Sequence, residues 1–141
     1  MFSTGRSLLW LAATKVIKEN PLFGVGTTAF VDVVKNSSPV HLPGIEKGGL
    51  HNIYIQIATA NGCIALTVFI IFILSILIIG LKRVVFTNSR YWNKLNISLL
   101  AIIFSFLALN FVESGLMYIM SFIALIFWIC IGALISIIEL E

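Results

Sequence analysis

Three long apolar runs dominate the second half of the chain. Gly62–Leu81, Leu95–Val112 and Leu116–Ile138 contain no Asp, Glu, Lys or Arg, and the second carries Asn96, Ser98, Ser105 and Asn110. A hydrocarbon core of about 30 Å needs roughly 20 residues of helix, and each run approaches or meets that length. None alternates in polarity as the strands of a barrel do. In lipid the backbone must satisfy its own hydrogen bonds, which leaves the helix. The pattern therefore predicts an all-α integral membrane protein with three transmembrane helices at 62–81, 95–112 and 116–138.

Residues 1–61 follow another pattern. From Arg6 to Asn20 apolar residues recur at helical spacing: Leu8, Leu9, Ala12, Val16 and Ile17 share a face, while Lys15, Lys18 and Glu19 turn to water. This predicts one amphipathic helix. Ser3 or Thr4 would cap its start, and Asn20-Pro21 ends it, because a residue before proline disfavours the helical region. A signal peptide is excluded, since the apolar core Leu8–Ala13 is short and Lys15 follows at once. From Asp32 to Gly49 the chain reads as a loop, punctuated by Ser38-Pro39, Pro43-Gly44 and Gly48-Gly49. Ile55–Ala60 reads as the start of a helix that runs on into the first span. No internal repeat is evident.

Composition agrees with the membrane reading. Hydrophobic residues make up 60% of the chain and charged residues 11%, against about 25% charged in soluble domains. The net charge of +3 does not point to nucleic acid, because the basic residues form no stripe. They mark topology instead. Lys82, Arg83, Arg90 and Lys94 crowd the short connection 82–94, which holds no acid. By the positive-inside rule that loop is cytoplasmic. Residues 1–61 and the turn 113–115 then lie outside, and the tail 139–141 inside.

The candidate chemistry is sparse. Gly24-Val25-Gly26 has no following Lys-Ser/Thr pair and no strand-helix unit around it, so it reads as a tight turn rather than a phosphate loop. Cys63 and Cys130 sit in different spans and predict no disulfide. His41 and His51 lack further ligands at metal spacing. His51 stands in Leu50-His51-Asn52-Ile53-Tyr54-Ile55-Gln56, at the mouth of the first span. It reads either as a helix-start residue or as a general base, since neutral imidazole can take a proton from a hydroxyl. Arg6 is either a charge reaching lipid headgroups or a clamp for a diphosphate, which a planar guanidinium grips with two bonds. Its place in a first helical turn runs against the helix dipole, which favours a ligand role. Glu113 is a functional candidate as an ionisable group at membrane depth, or a plain residue of the outer turn. Trp10 reads as an interfacial anchor or core residue ahead of a sugar platform.

Taken together, Gly5-Arg6-x-x-x-Trp10, Asn20-Pro21-Leu22-Phe23-Gly24-Val25-Gly26, Phe30, and His51-Asn52-x-Tyr54-Ile55-Gln56 followed by Gly62 resemble the signature of the O-antigen ligase and O-antigen polymerase superfamily. Related protein O-oligosaccharyltransferases carry the same pattern. The resemblance covers about residues 3–80. Thr4 and Asn61 depart from it, where Ser and an acidic residue are frequent. It implies a metal-independent, inverting glycan transfer at the outer face of the bacterial inner membrane, with no cofactor. The donor would be a polyprenyl-diphosphate glycan and the acceptor a hydroxyl of lipid A-core or of a protein. By position, Arg6 would hold the diphosphate and His51 would activate the acceptor. Asn52 and Tyr54, and Glu113 beyond the resembling stretch, are further substrate-binding candidates. A repeat-unit polymerase and a non-catalytic assembly subunit are the alternatives. The resemblance also implies a parent with around a dozen spans, so the chain reads as the C-terminal part of a larger polytopic glycosyltransferase.

Overall fold

The computed structural model describes residues 5–42, 45, 49–116 and 121–139. These residues are helical, with no strand among them, and form two units. The first unit comprises residues 1–69 and 110–114, the second 70–109 and 115–141. The proposed caps Ser3 and Thr4, and the end of the tail at 140–141, lie outside the described residues.

In the first unit, α1 covers Gly5–Glu19 and stops at Asn20-Pro21 as expected. It buries Leu9, Ala12, Ala13 and Val16, whereas Leu8 is exposed, contrary to its predicted place on the inner face. The second helix, α2, covers Phe30–Ser37. It lies where a loop was expected from Asp32 onward. Phe30 and Val34, one turn apart, are both buried as α2 packs against α1, and this apolar pairing outweighs the weak local signal. The loop signal holds over Ser38–Leu42, where the Ser38 hydroxyl closes a tight turn with Val40, while Ile45 is helical and Pro43-Gly44 and Gly48 lie outside the described residues. Leu50, Ile53 and Ile57 complete the core of the unit.

The third helix, α3, runs from Ile53 to Phe86, but its backbone breaks at Gly62, with φ +84° and ψ 172°. The expected continuation of this helix into the first apolar run is present, interrupted at Gly62. The break frees the Thr59 and Ala60 carbonyls, and the turn after α1 takes them up. Val25 N–H donates to Thr59 O at 3.0 Å, Gly26 N–H to Ala60 O at 2.8 Å, and Cys63 N–H to Pro21 O at 2.8 Å. Backbone approaches this close leave no room for side chains. A Cβ on Gly62 would overlap the Leu22 carbonyl, and one on Gly24 would lie 2.6 Å from Thr59 O. The Gly24-Val25-Gly26 stretch is therefore a turn, as read, with the added task of docking onto the break.

In the second unit, the later part of α3 is joined by α4, Arg90–Leu109, and α5, Phe122–Glu139. Ile103, Phe127 and Leu134 are fully buried there. Phe127 meets Phe106 edge-on, with ring centres 6.0 Å apart. Asn96 is 1% exposed, and its Nδ2 donates to the Gly80 carbonyl at 3.0 Å. The expected basic loop 82–94 shrinks to 87–89, because Lys82 and Arg83 lie in α3 and Arg90 and Lys94 in α4. Long basic side chains can extend to the interface while their backbone stays helical. The expected second span shifts likewise, with Asn110–Val112 in a turn rather than a helix.

Among the described residues, α3 and α4 are long and apolar enough to cross a membrane, and α5 is a shorter apolar helix over Phe122–Ile137. Leu116, the expected start of the third span, lies in a turn, and residues 117–120 fall outside the described residues. Ile71, Leu74 and Ile78 on α3 are 50–58% exposed. An apolar surface of this extent suits lipid rather than water.

Candidate functional site

Arg6, in the first turn of α1, and Glu113, in the turn after α4, meet with Arg6 Nη2 3.5 Å from Glu113 Oε1. The second carboxylate oxygen, Oε2, lies 3.6 Å from Nδ1 of His51. Two side chains from distant parts of the sequence, Arg6 and His51, thus converge on the Glu113 carboxylate. All three lie in the first unit.

Backbone geometry and neighbouring side chains hold His51 in place. Its φ is +48°, a left-handed conformation that costs a non-glycine residue roughly 1–2 kcal/mol. The preceding Gly49 is also left-handed, at φ +62°, and a Cβ there would overlap the Gln56 amide. Gln56 is 4% exposed, and its Oε1 accepts the Leu50 N–H at 3.2 Å. Trp10, one turn below Arg6 on α1, donates its indole N–H to the Leu50 carbonyl at 2.8 Å. Leu50 is thus gripped on both sides, and His51 follows it directly.

The partner turn is fixed to the same place. Asn52 caps α3, its Oδ1 accepting the Ile55 N–H at 3.0 Å, while its Nδ2 donates to the Phe111 carbonyl at 3.0 Å. The Ile53 N–H is shared between the carbonyls of Asn110 and Glu113, at 3.0 and 3.1 Å. These bonds set Glu113 beside His51. Asn52 is 7% exposed, and the structure uses both ends of its amide within the fold. Tyr54, the other candidate from the same stretch, packs its ring against Phe111, centres 4.6 Å apart, and Phe69 at 6.4 Å.

Exposure divides the site. The Arg6 and Glu113 side chains are 39% and 51% exposed, and that of His51 25%. His51 Nδ1 is buried without a hydrogen bond. An ion pair this open is worth at most about 1 kcal/mol, so an anionic ligand can take Arg6 from Glu113 at little cost. A groove of about 470 Å³ lined by Leu11, Lys15, Lys18 and Val40 lies elsewhere on the unit and includes none of the three residues. Among the described residues, no group of His, Cys, Asp or Glu is arranged to hold a metal ion.

The residues that build this arrangement fall largely within one recognisable stretch. Residues 2–70 match the O-antigen ligase family. The chain carries an O-antigen ligase-family domain. No curated protein and no solved structure matches the chain. The O-antigen ligase match contains Arg6, Trp10, the 20–26 turn, His51 and the break at Gly62, and ends before Glu113. Sequence reasoning missed the positioning roles of Trp10 and Gln56. The spacing of Arg6 and Trp10, four apart and so on one helix face, was the available signal for Trp10. Gln56 had none.

Proposed function

We propose that Arg6, His51 and Glu113 serve a transfer of glycan from a polyprenyl diphosphate to an acceptor hydroxyl, of lipid A-core or of a protein, at the outer face of the inner membrane. The observation that carries this reading is the shared carboxylate, with Arg6 at 3.5 Å from one oxygen and His51 at 3.6 Å from the other. With its proton on Nδ1, towards Glu113, the imidazole presents the Nε2 lone pair to the acceptor. Nε2 takes the hydroxyl proton as the oxygen bonds to the anomeric carbon. The bond from that carbon to the diphosphate oxygen breaks, and the electron pair leaves on the diphosphate. Arg6 stabilises the growing charge there with two charge-assisted bonds. The His51–Glu113 separation of 3.6 Å exceeds a hydrogen bond and would shorten as the site closes on substrate.

The test is glycan transfer by membranes carrying a complete transferase that contains this segment. His51→Ala should lose about 10²–10⁴-fold, the usual contribution of a positioned base. Arg6→Lys should retain part of the activity lost in Arg6→Ala, because Lys keeps the charge without the fork. Parental rates in His51→Ala, at normal expression, would refute the assignment.

A further inference from the structure

The turn that docks onto the α3 break presents its two apolar side chains outward. Leu22 is 56% exposed and Phe23 78%, although the backbone around them is held by three hydrogen bonds to α3, a fourth within the turn from Gly24 N–H to Asn20 O, and two positive-φ glycines. A rigid turn with a bare Phe at its tip is unusual in water. Its position supplies the reason. Pro21 O receives the N–H of Cys63, so the tip lies level with the start of the uncharged run 62–81. On α3 just beyond the break, Ile64 and Val68 are themselves 48% and 62% exposed. Leu22 and Phe23 thus sit beside the first turns of a candidate membrane-crossing helix.

We infer that Leu22 and Phe23 form a wedge that inserts into the lipid bilayer at the interface, next to the entry point of α3. The occupant is the bilayer itself, argued from continuity with the apolar face of α3. Aromatic and aliphatic side chains anchored this way lie about 5–10 Å into the boundary between headgroups and acyl chains. The wedge would set the height of the site. His51 precedes α3, and the helix from Ile53 to Asn61 spans about 14 Å by the α-helical rise per residue. The base is thereby held away from the acyl chains, where a diphosphate headgroup can meet it. The inference rests on α3 as a membrane span and does not depend on the transfer reaction.

The experiment uses the full chain, in a Cys63→Ser, Cys130→Ser background, reconstituted in vesicles of phosphatidylcholine and phosphatidylglycerol. Phe23→Cys and, separately, Leu22→Cys are labelled with an environment-sensitive fluorophore. Asn36→Cys, on the exposed side of α2, is the aqueous reference and Val68→Cys the lipid reference. The expected result is a blue-shifted emission at 22 and 23, strong quenching by a shallow nitroxide lipid and little by aqueous iodide. Emission and iodide quenching like those at position 36 would overturn the proposal. So would a blue-shifted probe quenched by neither agent, which would mean that protein covers the turn. Transfer activity is not read, so either outcome leaves the Arg6–His51–Glu113 reading untouched.

Discussion

Replacing Gly62 with Ala tests whether the helix break is written into this one residue. At φ +84° and ψ 172° the backbone is in a region open essentially to glycine, and a side chain there costs about 1–3 kcal/mol. The new Cβ also overlaps the Leu22 carbonyl and lies 2.6 Å from Phe23 N. The chain can escape by straightening, since Ala favours helix over Gly by about 1 kcal/mol. A straight helix returns the Cys63 N–H to Thr59 O and expels the 21–26 turn, with loss of its three hydrogen bonds to α3. Opening of that turn should therefore become easier by about 2–4 kcal/mol, or about 30- to 700-fold.

Amide hydrogen exchange of a peptide covering Val25 and Gly26 reads this directly, with the core residue Val34 in α2 as an internal reference. Two further variants bracket the size. Gly24→Ala combines a positive φ with contacts of 2.6 Å to Ala60 C and Thr59 O, whereas Gly26→Ala has a positive φ and open space around it. The expected order of exchange is Gly62→Ala and Gly24→Ala well above Gly26→Ala, which carries strain alone. Parental protection of Val25 and Gly26 in Gly62→Ala would refute the reasoning, because the turn would then be held by something other than the break.

Other residues make separate predictions. Trp10→Phe keeps the ring and removes the donor to Leu50 O. It should destabilise the first unit by about 1–3 kcal/mol, read as a lower thermal midpoint in detergent, and an unchanged midpoint would dismiss the bond. Asn96→Leu removes the buried bond to Gly80 O and should cost about 0.6–2 kcal/mol in resistance to denaturing detergent. For topology, an impermeant maleimide applied to intact spheroplasts should label Asn36→Cys and leave Asn88→Cys unlabelled, in a background lacking Cys63 and Cys130, and the reverse would invert the orientation. His41→Ala, in the exposed segment after α2, should leave glycan transfer unchanged in the assay used for His51.

The readable parts of the fold were those governed by a single strong rule. Asn20-Pro21 ends α1 because proline restricts the residue before it, and the uncharged runs became α3 and α4 within a few residues. The helix ends were less legible. Lys82, Arg83, Arg90 and Lys94 looked like a loop because charge leaves lipid, yet only their heads need leave it. The helix α2 was missed because Phe30 and Val34 gain their helical state from packing on α1, a contact with no local signature. The break at Gly62 had one signal, the Asn61-Gly62 pair inside an apolar run, which is turn chemistry. What the sequence could not disclose is the use of that break, since its freed carbonyls are answered by amides more than thirty residues earlier.

The site divides along the same line. Arg6 and His51 stood out as candidates because their chemistry is scarce in so apolar a chain. Their meeting point did not, because it is set through backbone carbonyls. The Ile53 main-chain N–H donates to the carbonyls of Asn110 and Glu113, and the Asn52 side-chain Nδ2 donates to that of Phe111, so every acceptor in this turn is main-chain. Acceptor carbonyls carry no side-chain signature at 110–113, so Glu113 read equally as a functional candidate and as a residue of an outer turn. This construction places rigidity and exchangeability in different atoms. Leu50, Asn52 and Gln56, which fix the turn, are 0–7% exposed. Arg6 and Glu113, which would meet a ligand, are open to solvent and weakly paired. A buried Arg6–Glu113 pair would resist separation by several kcal/mol and would close the guanidinium to a diphosphate. On the proposed reading, the exposed pair would hold Arg6 close to a diphosphate and give way to it.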